Sequence, residues 1–122
     1  MPRKARIDAP GALHHVIVRG IERRKIFLDD TDREDFIERL SNIIDETQTA
    51  SFAWALIPNH FHLLLRTGNV RVSRVMQRLL TGYAVTFNRR HHRQGHLFQN
   101  RYKSILFNNL TMISIVVLCS YG

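Results

Sequence analysis

The chain has 122 residues, 44% of them hydrophobic and 23% charged, and a formal net charge of +8. This length suffices for one hydrophobic core, so we expect a single domain, residues 1–122, rather than a disordered chain. A single cysteine excludes an internal disulfide. No apolar run approaches the roughly 20 residues that a membrane-spanning helix needs, so we expect a cytoplasmic protein with no membrane partner.

The charges are distributed unevenly along the chain. All ten carboxylates lie between Asp8 and Glu46, whereas nine of the 18 Lys and Arg residues follow Thr47. A long stretch without acids attracts phosphates with no local repulsion. The distribution therefore favours a nucleic-acid-binding protein, with a solvated basic face as the plainer alternative.

The first half of the chain predicts an arm, a strand and a helix. Residues 1–9 are polar and basic and form the arm. Leu13 to Arg19 alternates with a period of two and predicts a strand that Gly20 ends. The capping-box spacing of Thr31 and Glu34 predicts the start of a helix. Its apolar stripe continues to about Glu46 and consists of Phe36, Leu40, Ile43 and Ile44.

The second half predicts two strands, a helix and a last strand. The strands cover Ser51 to Ile57 and His60 to Thr67, the helix runs from Val72 to about His91 with its arginines outward, and Phe98 to Phe107 is the last strand. This order predicts an α+β fold with the helices on one face of an antiparallel sheet. The tail, residues 108–122, matches neither helix nor strand.

The sharpest local feature is His60-Phe61-His62 at the start of a predicted strand. Because side chains alternate across a strand, both imidazoles point to one face and Phe61 points to the other. The pair predicts a two-ligand metal site, with two half-exposed strand histidines as the simpler alternative. No Cys or carboxylate accompanies the pair, so Mg²⁺ or Mn²⁺ bridging a phosphate suits it better than Zn²⁺.

The segment from Pro58 to Leu65 resembles the His-hydrophobic-His motif of the single-tyrosine HUH transposases of the insertion-sequence-200-like family. Residues 10–16 with Arg19-Gly20 are similar to that family's first strand. Residues 87–91 and 95–104 resemble its branch associated with repetitive extragenic palindromes (REP). Together these matches cover about residues 9 to 107.

The resemblance implies a ferredoxin-like sheet, with His60 and His62 as metal ligands on a central strand. It also implies DNA transposition, in which a tyrosine hydroxyl attacks a phosphodiester of single-stranded DNA beside a hairpin and forms a 5′-phosphotyrosine. The implied cofactor is Mg²⁺ or Mn²⁺, and the implied partners are DNA and a second copy of the chain in a homodimer. The third metal ligand comes from a helix that follows the last strand.

The tail departs from the family's pattern. Residues 108–122 contain no acid, no Arg-Tyr-Ile and no Asn-Pro, as expected of a truncated or altered C-terminus. Tyr121 is the candidate nucleophile by position, but a penultimate residue is poorly held, so we expect no stable covalent DNA adduct. We expect Tyr83 to be a core residue, and Tyr102 either to stack on a base or to lie half-buried. The third metal ligand has no candidate, and enzymatic activity remains open.

The predicted DNA contacts are basic residues of the second half: Arg71, Arg74, Arg78, Arg89, Arg90, Arg93, Arg101 and Lys103. His91, His92 and His96 are predicted to contact phosphate rather than metal, and His14 and His15 to lie near the site without being ligands. The alternative function is a non-catalytic or degenerate nucleic-acid-binding module. A zinc-dependent nuclease is disfavoured because no carboxylate accompanies the histidines.

Overall fold

The computed structural model describes residues 11–99 and 102–106. The elements, in chain order, are β1 (Leu13–Arg19), a 3₁₀ turn (Ile21–Arg23), α1 (Asp30–Thr47), β2 (Ala50–Ile57), β3 (His60–Arg66), α2 (Val72–Arg90) and β4 (Lys103–Leu106). The predicted arm and the tail beyond residue 107 lie outside the described residues. No helix in the described part of the chain is long and apolar enough to cross a membrane.

The four strands form one antiparallel sheet in the order β2-β3-β1-β4. Strand β3 therefore lies between β1 and β2, in the interior of the sheet. Both helices pack on one face, so the predicted α+β fold with helices on one face of an antiparallel sheet is confirmed.

The core lies between this face and the helices. Strand alternation directs Val16 and Val18 of β1, and Phe61, Leu63 and Leu65 of β3, towards α1 and α2. Four aromatic rings, those of Phe27, Phe36, Phe61 and Tyr83, contact one another at its centre. Each such ring buries a large apolar area, which fixes the side of the sheet that faces the helices.

The start of α1 differs from the prediction. The helix begins at Asp30, and the side chain of Asp29, rather than that of Thr31, caps it by accepting a hydrogen bond from the Asp32 amide at 2.9 Å. The Asp32 carboxylate in turn accepts a hydrogen bond from the Leu28 amide at 2.9 Å. The reciprocal capping that we expected from Thr31 and Glu34 is therefore made two residues earlier by two aspartates.

The last strand is also shorter than predicted. Strand β4 begins at Lys103, whereas Phe98 makes only an isolated antiparallel bridge to Gly20, beyond the end of β1. Two backbone hydrogen bonds lie on either side of this bridge: Ile21 N–H donates to the Leu97 carbonyl, and Gln99 N–H donates to the Arg19 carbonyl. Residues 97–99 therefore hold the loop after β1 in place through backbone contacts. Phe107, the predicted end of the strand, lies outside the described residues.

Candidate metal centre and nucleic-acid surface

His60 and His62 lie on the sheet face opposite the helices, as their spacing predicts. Their ring centroids are 5.0 Å apart and the rings are inclined at 75°. Across the neighbouring strand, Arg19 pairs with His60 and Ile17 with His62, so these four side chains share the face. His15 of β1 lies on the same face.

The Nδ1 atoms of both rings are engaged by neighbours. His60 Nδ1 donates to the Asn59 side-chain oxygen at 2.9 Å, and His62 Nδ1 is hydrogen-bonded to His15 Nε2 at 3.0 Å. Within residues 11–99 and 102–106, no hydrogen bond is made to Nε2 of either ring. An imidazole anchored through one nitrogen and available at the other is the usual arrangement of a metal-ligating histidine.

The electrostatic environment keeps these imidazoles neutral. Burial lowers the pKa of His62 to about 4, helped by the nearby His15, His60 and Arg19. Burial also lowers the pKa of His60, with a smaller contribution from the Arg19 charge, and burial lowers the pKa of His15. Neutral rings offer a lone pair to a metal without first losing a proton, so the donor chemistry fits a divalent cation.

The described residues do not by themselves form a complete metal-binding group. No group of three or more His, Cys, Asp or Glu side chains that could hold a metal ion occurs among them. His15 is adjacent, but its Nε2 is bonded to His62. A six-coordinate ion on this pair would take its remaining ligands from water, from a phosphate oxygen or from residues beyond those described.

Two of the three tyrosines lie away from this pair. Tyr83 is buried in α2 and donates its hydroxyl to the Ile26 carbonyl. Burial and the charges of Asp32 and Asp35 raise its pKa, which disfavours the phenolate. Tyr102 packs, half-buried, against the core on the helix side. Tyr83 is therefore a core residue, as predicted, and Tyr102 is half-buried. Stacking of Tyr102 on a base stays a prediction, and Tyr121 lies outside the described residues.

Three of the predicted DNA-binding arginines line one groove at the start of α2. Arg71, Arg74 and Arg78 border an open cavity of about 720 Å³ together with Asn69, Ser73 and Gln77. Arg78 is paired with Glu46 of α1 at 2.5 Å. Arg71 and Arg74 are exposed and make no ion pair with a described residue. Arg89 and Lys103 are exposed elsewhere on the surface, and Arg101 lies outside the described residues.

Two further members of the predicted set make contacts within the fold. Arg90 binds the carboxylates of Asp29 and Asp32 at the start of α1, and the hydrogen bond that it donates to Asp29 is the main reason that its pKa is raised. Arg93 donates to the Asn88 side chain and to backbone carbonyls in its own loop. His91, which was expected to contact phosphate, is hydrogen-bonded to Asp32.

The structure adds site residues that the sequence analysis missed. Arg19, Arg23, Asn59 and Gln99 line an open pocket of about 600 Å³ beside His60. One signal for Arg19 was available, since it has the same strand parity as His15 and Ile17 and must therefore share their face. Arg23 and Gln99 come from separate loops, and only the folded chain brings them together.

Comparison with known proteins agrees with this architecture. Residues 10–117 match the family described as IS200-like transposases. A REP-associated tyrosine transposase, solved bound to a REP hairpin, superposes with a TM-score of 0.75 at 16% identity, covering 98% of this chain and 70% of the other. A candidate transposase from Deinococcus radiodurans R1 superposes with a TM-score of 0.65 at 18% identity, covering 98% and 97% respectively.

At these identities the solved structures establish the fold alone, and no curated protein sequence matches the chain. The family match, in contrast, spans most of the chain and agrees with the predicted resemblance. This chain belongs to the IS200-like transposase family, and its functional class is DNA transposition.

Proposed function

We propose that this protein binds single-stranded or hairpin DNA together with Mg²⁺ or Mn²⁺, and acts on a DNA phosphodiester by metal-dependent strand transfer. The observation that carries the proposal is the pair His60 and His62, whose Nδ1 atoms are held by Asn59 and His15. The family as a whole is generally metal-dependent, which agrees with this donor set.

The chemical step that we propose is attack by a tyrosine oxygen on phosphorus. A bond forms from the tyrosine oxygen to phosphorus as the bond from phosphorus to the 3′ oxygen breaks. The phenol loses its proton, and the departing 3′ oxygen gains one and leaves as a hydroxyl. Reversal rejoins the strand without an external energy source, because the phosphotyrosine conserves the phosphodiester bond energy. Tyr121 is the proposed nucleophile, since Tyr83 and Tyr102 lie on the helix side of the sheet.

His60 and His62 would hold the metal, which when bound supplies charge stabilisation and alignment of the scissile phosphate. Asn59 keeps the proton of His60 on Nδ1, so that Nε2 carries the lone pair. The partial burial of both rings excludes part of the surrounding water, and this strengthens electrostatic interactions at the phosphate.

DNA binding is proposed to use the exposed cations Arg71, Arg74, Arg89 and Lys103, which no described acid neutralises. The structural relative bound to a REP hairpin supports a hairpin as the substrate. The affinity for a labelled hairpin oligonucleotide, measured by fluorescence anisotropy, should fall steeply as the salt concentration rises, because each neutralised phosphate releases counterions. Affinity that is independent of salt would contradict this electrostatic mode.

The metal site is tested by calorimetric titration of Mn²⁺ into the wild type and His62→Ala. His92→Ala is the matched control, since His92 is exposed and distant in sequence from the pair. We expect a large loss of affinity in His62→Ala alone. Equal binding by all three proteins would remove the metal site from the proposal.

The strand-transfer step is tested by incubating the protein with Mn²⁺ and the labelled hairpin, then seeking a denaturation-resistant protein–DNA band. Strand transfer requires such an adduct, whereas the altered sequence around Tyr121 favours its absence, so this assay decides between the two candidate functions. An adduct abolished in Tyr121→Phe would establish that tyrosine as the nucleophile. DNA and metal binding without any adduct would favour the second candidate function, a non-catalytic DNA-binding module derived from a transposase.

A homodimer is the proposed assembly, and β2 is the edge strand that would support it. Its backbone is paired on one side only in the described sheet, and Phe52 and Trp54 on it are half-exposed. Sedimentation velocity should detect a dimer as the protein concentration rises. A monomer at every concentration would exclude this assembly.

A further inference from the structure

We infer that the pocket lined by Arg19, Arg23 and Gln99 beside His60 binds a phosphodiester of the DNA strand, next to the phosphate that reaches the histidine pair. This inference rests on the proposed DNA-binding function and adds a subsite to it. We call this cavity the Arg19 pocket; Gly20 and Asn59 complete its lining.

The position of the Arg19 pocket follows from the sheet register. Arg19 is the last residue of β1 and lies directly opposite His60, the first residue of β3. Directly opposed side chains on one face approach to about 5 Å at Cβ. A strand of DNA that places one phosphate at His60 and His62 would therefore pass Arg19 within one nucleotide.

The charge of the pocket suits a phosphate. Arg19 and Arg23 are exposed, and neither makes an ion pair with any residue in the described ranges. The segment 19–25 contains four cations and one carboxylate, that of Glu22, which does not line the pocket. The pocket thus contains two guanidinium groups that no described acid neutralises. Each guanidinium can donate two parallel hydrogen bonds to the oxygens of a phosphate.

The loop that carries Arg23 is held in a strained conformation. Glu22 and Arg23 have φ values of 53° and 61°, in the left-handed region that non-glycine residues rarely adopt. Strain of this kind persists only where the surrounding structure imposes it, and it concentrates at functional sites.

The surrounding contacts that impose this conformation come from two separate segments. Gly20 N–H donates to the Asn59 carbonyl at 2.9 Å, and Ile21 N–H donates to the Leu97 carbonyl at 2.9 Å. A Cβ at residue 20 would lie 2.1 Å from the Arg24 carbonyl oxygen, so only glycine allows the loop to fold back this tightly. The loop therefore fixes Arg23 before DNA arrives, which lowers the entropic cost of binding.

The size of the cavity favours a nucleotide over a bare ion. Its volume of about 600 Å³ lies in the range of small-ligand sites. Gln99 adds an exposed side-chain amide, which can donate to a phosphate or sugar oxygen. Arg19 and Arg23 can bind the phosphate, and the Gln99 amide can bind the neighbouring sugar oxygens. This combination fits a sugar-phosphate backbone.

The test measures affinity for a labelled hairpin oligonucleotide with a single-stranded flank, in EDTA so that metal binding does not contribute. Arg23→Ala should weaken binding by about tenfold, whereas Arg24→Ala should weaken it by no more than about twofold. Arg24 is the matched control, because it is exposed in the same loop but does not line the pocket. Arg23→Lys should recover part of the affinity.

A second arm identifies the phosphate. Each phosphate of the flank is replaced in turn by an uncharged methylphosphonate, and the wild type should lose affinity at a particular position. In Arg23→Ala the same replacement should cost less than in the wild type, since both changes remove the interaction of Arg23 with that phosphate and only the interaction of Arg19 remains. Equal losses in Arg23→Ala and Arg24→Ala, or methylphosphonate effects that add to that of Arg23→Ala, would overturn the inference.

Manganese titration of Arg19→Ala separates this subsite from the metal centre. Removing the cation beside His60 should leave Mn²⁺ affinity unchanged or higher, while hairpin affinity falls. Loss of both affinities would assign Arg19 a purely structural role and contradict the inference. A wild type that binds Mn²⁺ but no hairpin would instead refute the proposed DNA binding, and with it the subsite.

Discussion

We expect His15 to orient His62 for metal binding, although it is not itself a ligand. The rings of the two residues stack with centroids 5.2 Å apart and an angle of 16°, and His15 Nε2 lies 3.0 Å from His62 Nδ1. For Nε2 of His62 to bind a cation, Nδ1 of His62 must carry the proton and donate a hydrogen bond to Nε2 of His15. Removal of the acceptor therefore removes the preference for the metal-competent tautomer.

The expected magnitude follows from the burial of the pair. Loss of the hydrogen-bond partner of a metal-ligating histidine typically costs about 10- to 100-fold in affinity, which is about 1.4 to 2.8 kcal/mol. His62 is half-buried, so water can replace part of the lost hydrogen bond. We therefore expect His15→Phe to weaken Mn²⁺ binding by about tenfold, near the lower limit of that range.

The assay is calorimetric Mn²⁺ titration of His15→Phe, His15→Gln and His14→Phe. His15→Gln offers an amide oxygen that can accept from His62 Nδ1, so it should recover part of the affinity. His14 is the matched control, since it is equally buried on the same strand but bonded to Ser104 on the other face. Wild-type affinity in His15→Phe, or an equal loss in His14→Phe, would refute the reasoning.

Further predictions concern stability, measured by urea denaturation. Tyr83→Phe should lower the free energy of unfolding by about 1 kcal/mol through loss of the hydroxyl's buried hydrogen bond, and it should leave any DNA adduct intact. Gly20→Ala should cost about 1 to 3 kcal/mol, because its Cβ would meet a backbone oxygen. Gly82→Ala should be nearly neutral, since only the end of a flexible arginine must move. Acidification should destabilise the protein in two stages. As the pH falls from about 6.5, stability is lost because burial lowers the pKa of His15, His60 and His62, so that the unfolded chain binds protons first. Below about pH 4 a further loss should follow, because the Arg90 hydrogen bond lowers the pKa of Asp29 and its stabilising effect disappears as the pH falls through that lowered pKa. Asp29→Asn should reduce this loss, whereas an unchanged pH profile would contradict that assignment.

Local patterns were sufficient for most elements of the fold. The residues of β1 were predicted correctly because its alternation is regular and ends at a glycine, and α2 ends one residue before the predicted limit. The predicted start of α1 was wrong because two capping patterns overlap there. The one that forms includes Asp32, which Arg90 and His91 bind from nearly 60 residues away. That long-range contact has no local signature.

The candidate site was predictable to a similar extent and for a similar reason. Strand alternation alone places His60 and His62 on one face. The role of His15 depends on the register between β1 and β3, which the pattern of either strand taken alone does not reveal. Arg90 was assigned to DNA because helical periodicity places it on the polar side, but periodicity cannot reveal that the first turn of α1 provides carboxylates for it.

The register between β1 and β3 links the fold to the candidate site. Because strand side chains alternate, a slip of one residue would move Phe61 out of the core and His62 into it. The close turn at Gly20 and the backbone hydrogen bond from its amide to Asn59 fix this register at the end of the strands where His60 lies. The same contacts hold Arg19 opposite His60. Burial of the aromatic core thus favours the one register in which the imidazole pair and the adjacent cation share a face, so selection for stability also maintains the site geometry.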